Sequence, residues 1–204
     1  MKINHVARVL IVSDFLTNAG FGFFAPIFAV FVTKQIAGGS LEIVGFASAI
    51  GQLCKSILQI PIARLLDKNH GEYDDFYSMV TGSVLVTITP FMYLVASQPF
   101  HLYIIQAIFG IGLAFAVPPW YAIFTRHIDP GQENIEWSFE SVAIGSSGAI
   151  AAALGGVIAQ RFGFEAVFIM AGVIAMWGTI MQIRIYKDLI GKVPRGGVKP
   201  RPKI

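Results

Sequence analysis

The side chains of this sequence that could do chemistry sit mostly inside long apolar runs. In the stretch GQLCKSILQIPIA, Gly51 to Ala63, a lysine, Lys55, lies near the middle of such a run. Ser48, Gln52, Lys55, Ser56 and Gln59 recur at i, i+4, i+7, i+8 and i+11, which is one face of an α-helix. Val44, Ala47, Ile50, Leu53, Ile57, Leu58 and Ile62 make the apolar face. A shorter stripe, Asp14, Thr17 and Asn18, lies in an earlier run, and a lone amide, Gln106, in a later one. Side chains of these types, gathered on helix faces, are suited to holding a polar or charged ligand. The elements that carry them decide whether they can meet.

Composition identifies those elements. Of 204 residues 55% are hydrophobic and only 13% charged, with a mean hydropathy of +0.66. A soluble domain carries about a quarter charged residues, so this balance belongs to an integral membrane protein. Six stretches are long enough to span as helices: Val9–Val32, Ile43–Ala63, Phe76–Ser97, Phe100–Phe124, Phe139–Gln160 and Phe164–Tyr186. Breaks between them carry turn chemistry, such as DKNHGEYDD after the second and QRFGF after the fifth. The first run is read as a retained span rather than a signal peptide, because it continues past signal length with no small-residue cleavage site. The sequence therefore predicts an all-α bundle of six transmembrane helices over residues 1–190. A flexible basic tail, GKVPRGGVKPRPKI, is expected over residues 191–204.

Lysine and arginine orient the bundle. Lys2, Arg8, Arg64, Lys68, Arg126, Arg184, Lys187 and the tail's basic residues fall on one side, and only Lys34 and Arg161 on the other. The bias predicts both termini in the cytoplasm of a multi-pass protein of the cell membrane. The basic tail then serves orientation and attraction to anionic lipid, not nucleic-acid binding. At 1.5 Å rise per residue, Asp14 lies about 8 Å and Lys55 about 12 Å in from the cytoplasmic ends of their spans. A lysine at the bilayer centre costs about 2.5–3.5 kcal/mol on insertion scales. Mutual neutralisation of Asp14 and Lys55 is accordingly expected, directly or through water. Snorkelling of Lys55 to cytoplasmic water is the bland alternative.

Other constellations weigh less. The segment GSSG, Gly145 to Gly148, fits the G-x-S-G of intramembrane serine proteases, but no histidine follows it to activate Ser147, so the residues read as packing positions and the chain as no enzyme. Gly145, Ser146, Ser147, Gly148, Ala152, Gly155 and Gly156 let another helix approach closely. The fourth span is thinned by Gly110 and Gly112, and Pro118–Pro119 interrupt its hydrogen bonding. The acidic residues around His70 match no calcium loop, and a single cysteine, Cys54, excludes a multi-cysteine metal site, so no cofactor or metal is expected. Asp129, Glu133, Glu136 and Glu140 read as helix-start charges, with Glu140 entering a span.

Several stretches resemble the major facilitator superfamily. ALGGVIAQRFGFEAVFIMAG, Ala153 to Gly172, is similar to that family's join of spans five and six. IPIARLLDKNHG, Ile60 to Gly71, is similar to its join of spans two and three, where G-x-x-x-D-[RK]-x-G-[RK]-[RK] is matched by Ala63, Asp67 and Lys68, with alanine for the first glycine. Gln106, Gly110 and Gly112 fit R-x-x-x-G-x-G, with glutamine for arginine. The resemblance implies a single six-span half of a fold of two parallel halves, so that two copies related by a twofold axis make a secondary transporter of a small solute by alternating access. The alternative is an accessory half that pairs with a different chain. The polar stripes and the lone amide assign substrate contacts to Asp14, Asn18, Gln52, Lys55, Gln59 and Gln106. The resemblance implies gating by Asp67, expected at the amino end of the partner's fifth span around Trp137 to Glu140, with Arg126 expected to hold Asp67 in place. Lys55 in the cavity favours an anionic or zwitterionic substrate.

Overall fold

A computed structural model describes residues 3–68 and 72–190 of the protein. The expected basic tail, together with Asn69, His70 and Gly71, lies outside the described residues. The elements in order are α1 (His5–Phe24), a 3-10 turn (Ala25–Ile27), α2 (Phe28–Gln35), α3 (Leu41–Leu66), α4 (Glu72–Tyr93), α5 (Pro99–His127), α6 (Glu133–Ile183) and the short α7 (Tyr186–Ile190). α1, the turn and α2 make one span of 31 residues, and α3, α4 and α5 one each. α6 is two spans in one run, because Gly163 breaks it with φ 83° and ψ 175°. That backbone region is open only to glycine, so the chain reverses there between a first limb, 133–162, and a second, 164–183. The six spans read from the sequence are thus all present, and the protein is an all-helical, multi-pass membrane protein.

The first span is not the uninterrupted helix its hydropathy suggests. Pro26 lacks an N–H and cannot continue the α-helical ladder, so the chain tightens into the 3-10 turn before α2 resumes. Elsewhere proline is absorbed without a break. Pro90 leaves the Val86 carbonyl bare, and the hydroxyl of Thr89 donates to that oxygen at 2.7 Å. Pro119 leaves the Phe115 carbonyl bare, and Ser78 donates to it from α4 at 2.8 Å. α5 runs unbroken through Pro118 and Pro119, as α3 does through Pro61. Hydroxyls supply in lipid what water supplies in a soluble helix.

Small residues set the helix spacing. A side chain on Gly155 would collide with the carbonyl of Phe23, so α1 lies directly against the first limb of α6. A side chain on Gly110 would collide with the carbonyl of Gly51, which locks α3 against α5. α4 packs on α5 and on the second limb of α6, where Thr87 and Thr179 share a hydrogen bond of 2.8 Å. At one end of the bundle Phe24, Phe28, Phe31, Tyr93 and Phe168 form an aromatic core. At the other, basic end, Leu10, Met79, Ile123 and Phe124 form a second. The outward faces, with Phe46, Leu53, Ile57 and Ile60 on α3 and Val142, Ile150 and Val157 on α6, are exposed and apolar.

The glycine seam has a direct test. Gly155→Val drives methyl groups into the Phe23 backbone and should cost about 1–3 kcal/mol, the range for an overpacked core. Gly156, whose added Cβ meets nothing within 4 Å, should accept alanine with a change under about 0.5 kcal/mol. Thermal unfolding of the two variants in detergent reads the difference; equal melting temperatures would refute the seam.

Candidate functional site

The bundle is not filled at its centre. A cavity of about 550 Å³ lies between α1, α4, α5 and the second limb of α6, and it reaches the rims of α3 and of the first limb. α1 and α5 are kept apart along much of their length, and the Phe21 and Phe109 rings, with centroids 5.1 Å apart, bridge the gap. Much of the lining is aromatic, with Trp120 and Tyr121 below this pair and Tyr93 above. The polar groups include Asp14, Thr17 and Asn18 from α1, Ser48 from α3, Ser83 and Thr89 from α4, Gln106 from α5, and Glu140 and Gln182 from the two limbs of α6.

Each polar group is placed by its helix. Asn18 donates from Nδ2 to the Asp14 carbonyl one turn back at 3.0 Å, which holds its amide on the cavity face. Gln106 donates to the Tyr93 hydroxyl at 3.0 Å across α4 and α5. Gln182 is 3% exposed, and its Oε1 has no hydrogen-bond partner among the described residues. The Trp120 indole N–H is likewise buried and unpaired there. Neither the Asp14 nor the Glu140 carboxylate has an ion pair among the described residues.

Of the substrate contacts expected from the sequence, Asp14, Asn18 and Gln106 line this cavity. Gln52, Lys55 and Gln59 do not. Their helix packs through Ala47, Gly51 and Cys54, and the polar stripe runs beside that seam, with Gln52 exposed and Lys55 and Gln59 half-buried. Only Ser48 of the stripe reaches the cavity. No ion pair joins Lys55 to Asp14 or to any other described carboxylate. Of the gating residues, Glu140 lines the cavity, and Asp67 is the exposed residue that ends α3. Arg126 engages Asp75 of α4 at 2.5 Å rather than Asp67. His127 lies 3.6 Å from Glu72, so two such contacts tie α4 to α5 at the basic end. The fully buried Glu136 accepts from the Asp129 N–H at 3.0 Å and closes the turn into α6. Sequence reasoning did not single out Gln182, Tyr93 or Trp120 for the site. A signal existed for Gln182, an isolated amide in the last span three residues after Thr179.

A helical bundle with an open, partly polar centre suits a membrane transporter, and comparison supports that class. The family model of the Major Facilitator Superfamily matches residues 10–202, and the chain belongs to that superfamily, a family of transporters rather than enzymes. An uncharacterized MFS-type transporter of Methanocaldococcus jannaschii is 26% identical over 191 residues, covering 93% of this chain and 47% of the relative. The solved structure of the POT family transporter PepTSo superposes with a TM-score of 0.72 at 14% identity, over 98% of this chain and 41% of that one. This chain thus spans about half the length of either relative.

Arg126→Ala should strip Asp75, whose side chain is 5% exposed, of its ionic partner. Leaving a buried acceptor unsatisfied costs about 1–3 kcal/mol. Arg126→Lys should recover part of this, since a lysine keeps the charge but not the planar fork. Melting temperatures in the order wild type, Lys, Ala are expected; an unchanged Ala variant would show that the pair contributes nothing.

Proposed function

We propose that the protein is a secondary transporter of a small solute, working by alternating access as a homodimer of six-span halves. The observation that carries the reading is the open side of the bundle. α3 and the first limb of α6 have α5 and α1 as chief neighbours, present exposed faces outward, and both contribute to the cavity rim, through Ser48 and Ile144. A second half packed across these faces completes the cavity. Halves of this kind are parallel repeats related by an axis along the membrane normal, so two identical chains inserted the same way satisfy the geometry. The lysine and arginine bias supports both termini on the cytoplasmic side of the cell membrane.

The α3 stripe acquires a role in this assembly. Gln52, Lys55 and Gln59 flank the α3–α5 seam on the same side as Ser48, and a second half would enclose them with the cavity. Asp67 would then lie near the amino end of the partner's α6, where free N–H groups and about half a positive charge stabilise a carboxylate. Each contact is worth about 0.3–1 kcal/mol when exposed, so two symmetric copies bias one conformational state over the other.

The mass of the purified chain in nanodiscs tests assembly, with a dimer expected; a monomer with no partner chain refutes the homodimer. Lys55→Ala should leave the protein folded but remove solute-induced thermal shifts, and a variant that responds like wild type would take Lys55 out of the site. Asp67→Asn should shift spin-label distances across the cytoplasmic loops towards the inward-open state. Distance distributions identical to wild type would rule out the Asp67 contact.

A further inference from the structure

Resting on the transporter reading above, we infer that the cavity takes an organic cation with aromatic or other bulky apolar substituents, its charge held between Asp14 and Glu140. Two carboxylates line the cavity, and none of its described lining residues is a lysine, arginine or histidine. Asp14 from α1 and Glu140 from the first limb of α6 thus face the same enclosed space. A carboxylate withdrawn from water without a partner is costly, and two facing one space are costlier. A ligand cation between them removes both penalties together.

The neutral groups point the same way. Gln182, with its unpaired and buried Oε1, offers an acceptor to an N–H or to a polarised C–H beside a positive centre. Phe21, Phe109, Trp120 and Tyr121 supply ring surface, which attracts a cation through the aromatic quadrupole and buries apolar substituents. The volume of about 550 Å³ is within the range of pockets that enclose drug-sized ligands. Lys55, on which the expectation of an anionic substrate rests, is not among the lining residues of this chain.

Two probes of nearly the same shape and opposite charge separate the possibilities. The full chain in nanodiscs is equilibrated with labelled tetraphenylphosphonium or tetraphenylborate, with empty nanodiscs correcting for partition into lipid. Saturable binding of the phosphonium alone is expected, weakened at least tenfold in Asp14→Asn and in Glu140→Gln, with thermal unfolding showing each variant folded. Gln182→Leu should weaken it less. Absence of saturable phosphonium binding, borate binding of equal strength, or undiminished phosphonium binding in both carboxylate variants overturns the inference. The last outcome would mean that the carboxylates carry protons and the ligand is recognised without charge. Because binding needs no turnover, the two readings fail separately. Cation binding without uptake into proteoliposomes removes the transport reading and leaves the site. Uptake of other solutes without cation binding does the reverse.

Discussion

In a bilayer a backbone carbonyl or N–H without an internal partner costs several kcal/mol, and the architecture of this chain follows from that constraint. It explains why the described spans are helices, and it decides where the helices may deviate. Prolines at positions 90 and 119 each remove a donor, and in both cases a hydroxyl from Thr89 or Ser78 takes the bare carbonyl. The Ser78 bond crosses from α4 to α5, so the repair of one helix also fixes its neighbour. At Pro26 the chain instead changes to a 3-10 turn, while α3 runs through Pro61 and α5 through Pro118 with no such hydroxyl bond among the described residues. The other irregular point, Gly163, lies at the reversal between two spans, at the end of the bundle that carries the aromatic core.

The same economy shapes the centre. Without a hydrophobic drive between helices in lipid, spans associate where backbones come close, and glycine seams set those approaches. The seams join α1 to both limbs of α6, α3 to α5 and α4 to α5. They do not join α1 to α5, which meet through phenylalanine rings instead. Bulky rings hold two helices apart where glycines would have drawn them together. The cavity is the volume left by that difference, and its polar residues are those that the seams turn inward.

Much of this was legible in the sequence because its rules are local. Hydropathy located six spans, glycine and polar runs located the breaks, and the small residues of the fifth span announced close packing. The partner of that packing was not legible: Gly155 serves contact with α1 inside the chain, while Gly145 and Gly156 stay open. The periodicity of the α3 stripe showed that Ser48, Gln52, Lys55 and Gln59 share a face. It could not show that this face flanks the packed seam, since that depends on Gly51 and Gly110 meeting across two helices. Asp14, Asn18 and Gln106 stood out as polar residues in apolar runs and do line the cavity. Arg126 was matched with Asp67 by position along the fold, whereas Asp75, one turn inside α4, is the carboxylate its side chain meets. Gln182 and Trp120 escaped notice because an amide near a span end and a tryptophan near an interface are commonplace. Burial without a partner is what distinguishes them, and only three-dimensional packing reveals it.

Charge is distributed unevenly over this bundle, and the unevenness bears on the proposed assembly. The carboxylates Asp14 and Glu140 face the central cavity, while Lys55 sits half-buried on the flank of α3 with no ionic partner among the described residues. A lone ammonium at that depth is too costly to leave against lipid, and the polar residues on either side of it could not hydrate it there without water. In the proposed homodimer, a second half over this flank would replace lipid by protein and by the water of a shared cavity. Lysine would then meet the field of two carboxylates from each chain rather than hydrocarbon. The positive charge at the rim and the negative charge at the centre would act in opposite directions on a cationic ligand: the rim repels it and the centre holds it. In the proposed transport cycle, such a profile would favour release when the rim residues close towards the centre, the motion that alternating access requires of two rocking halves.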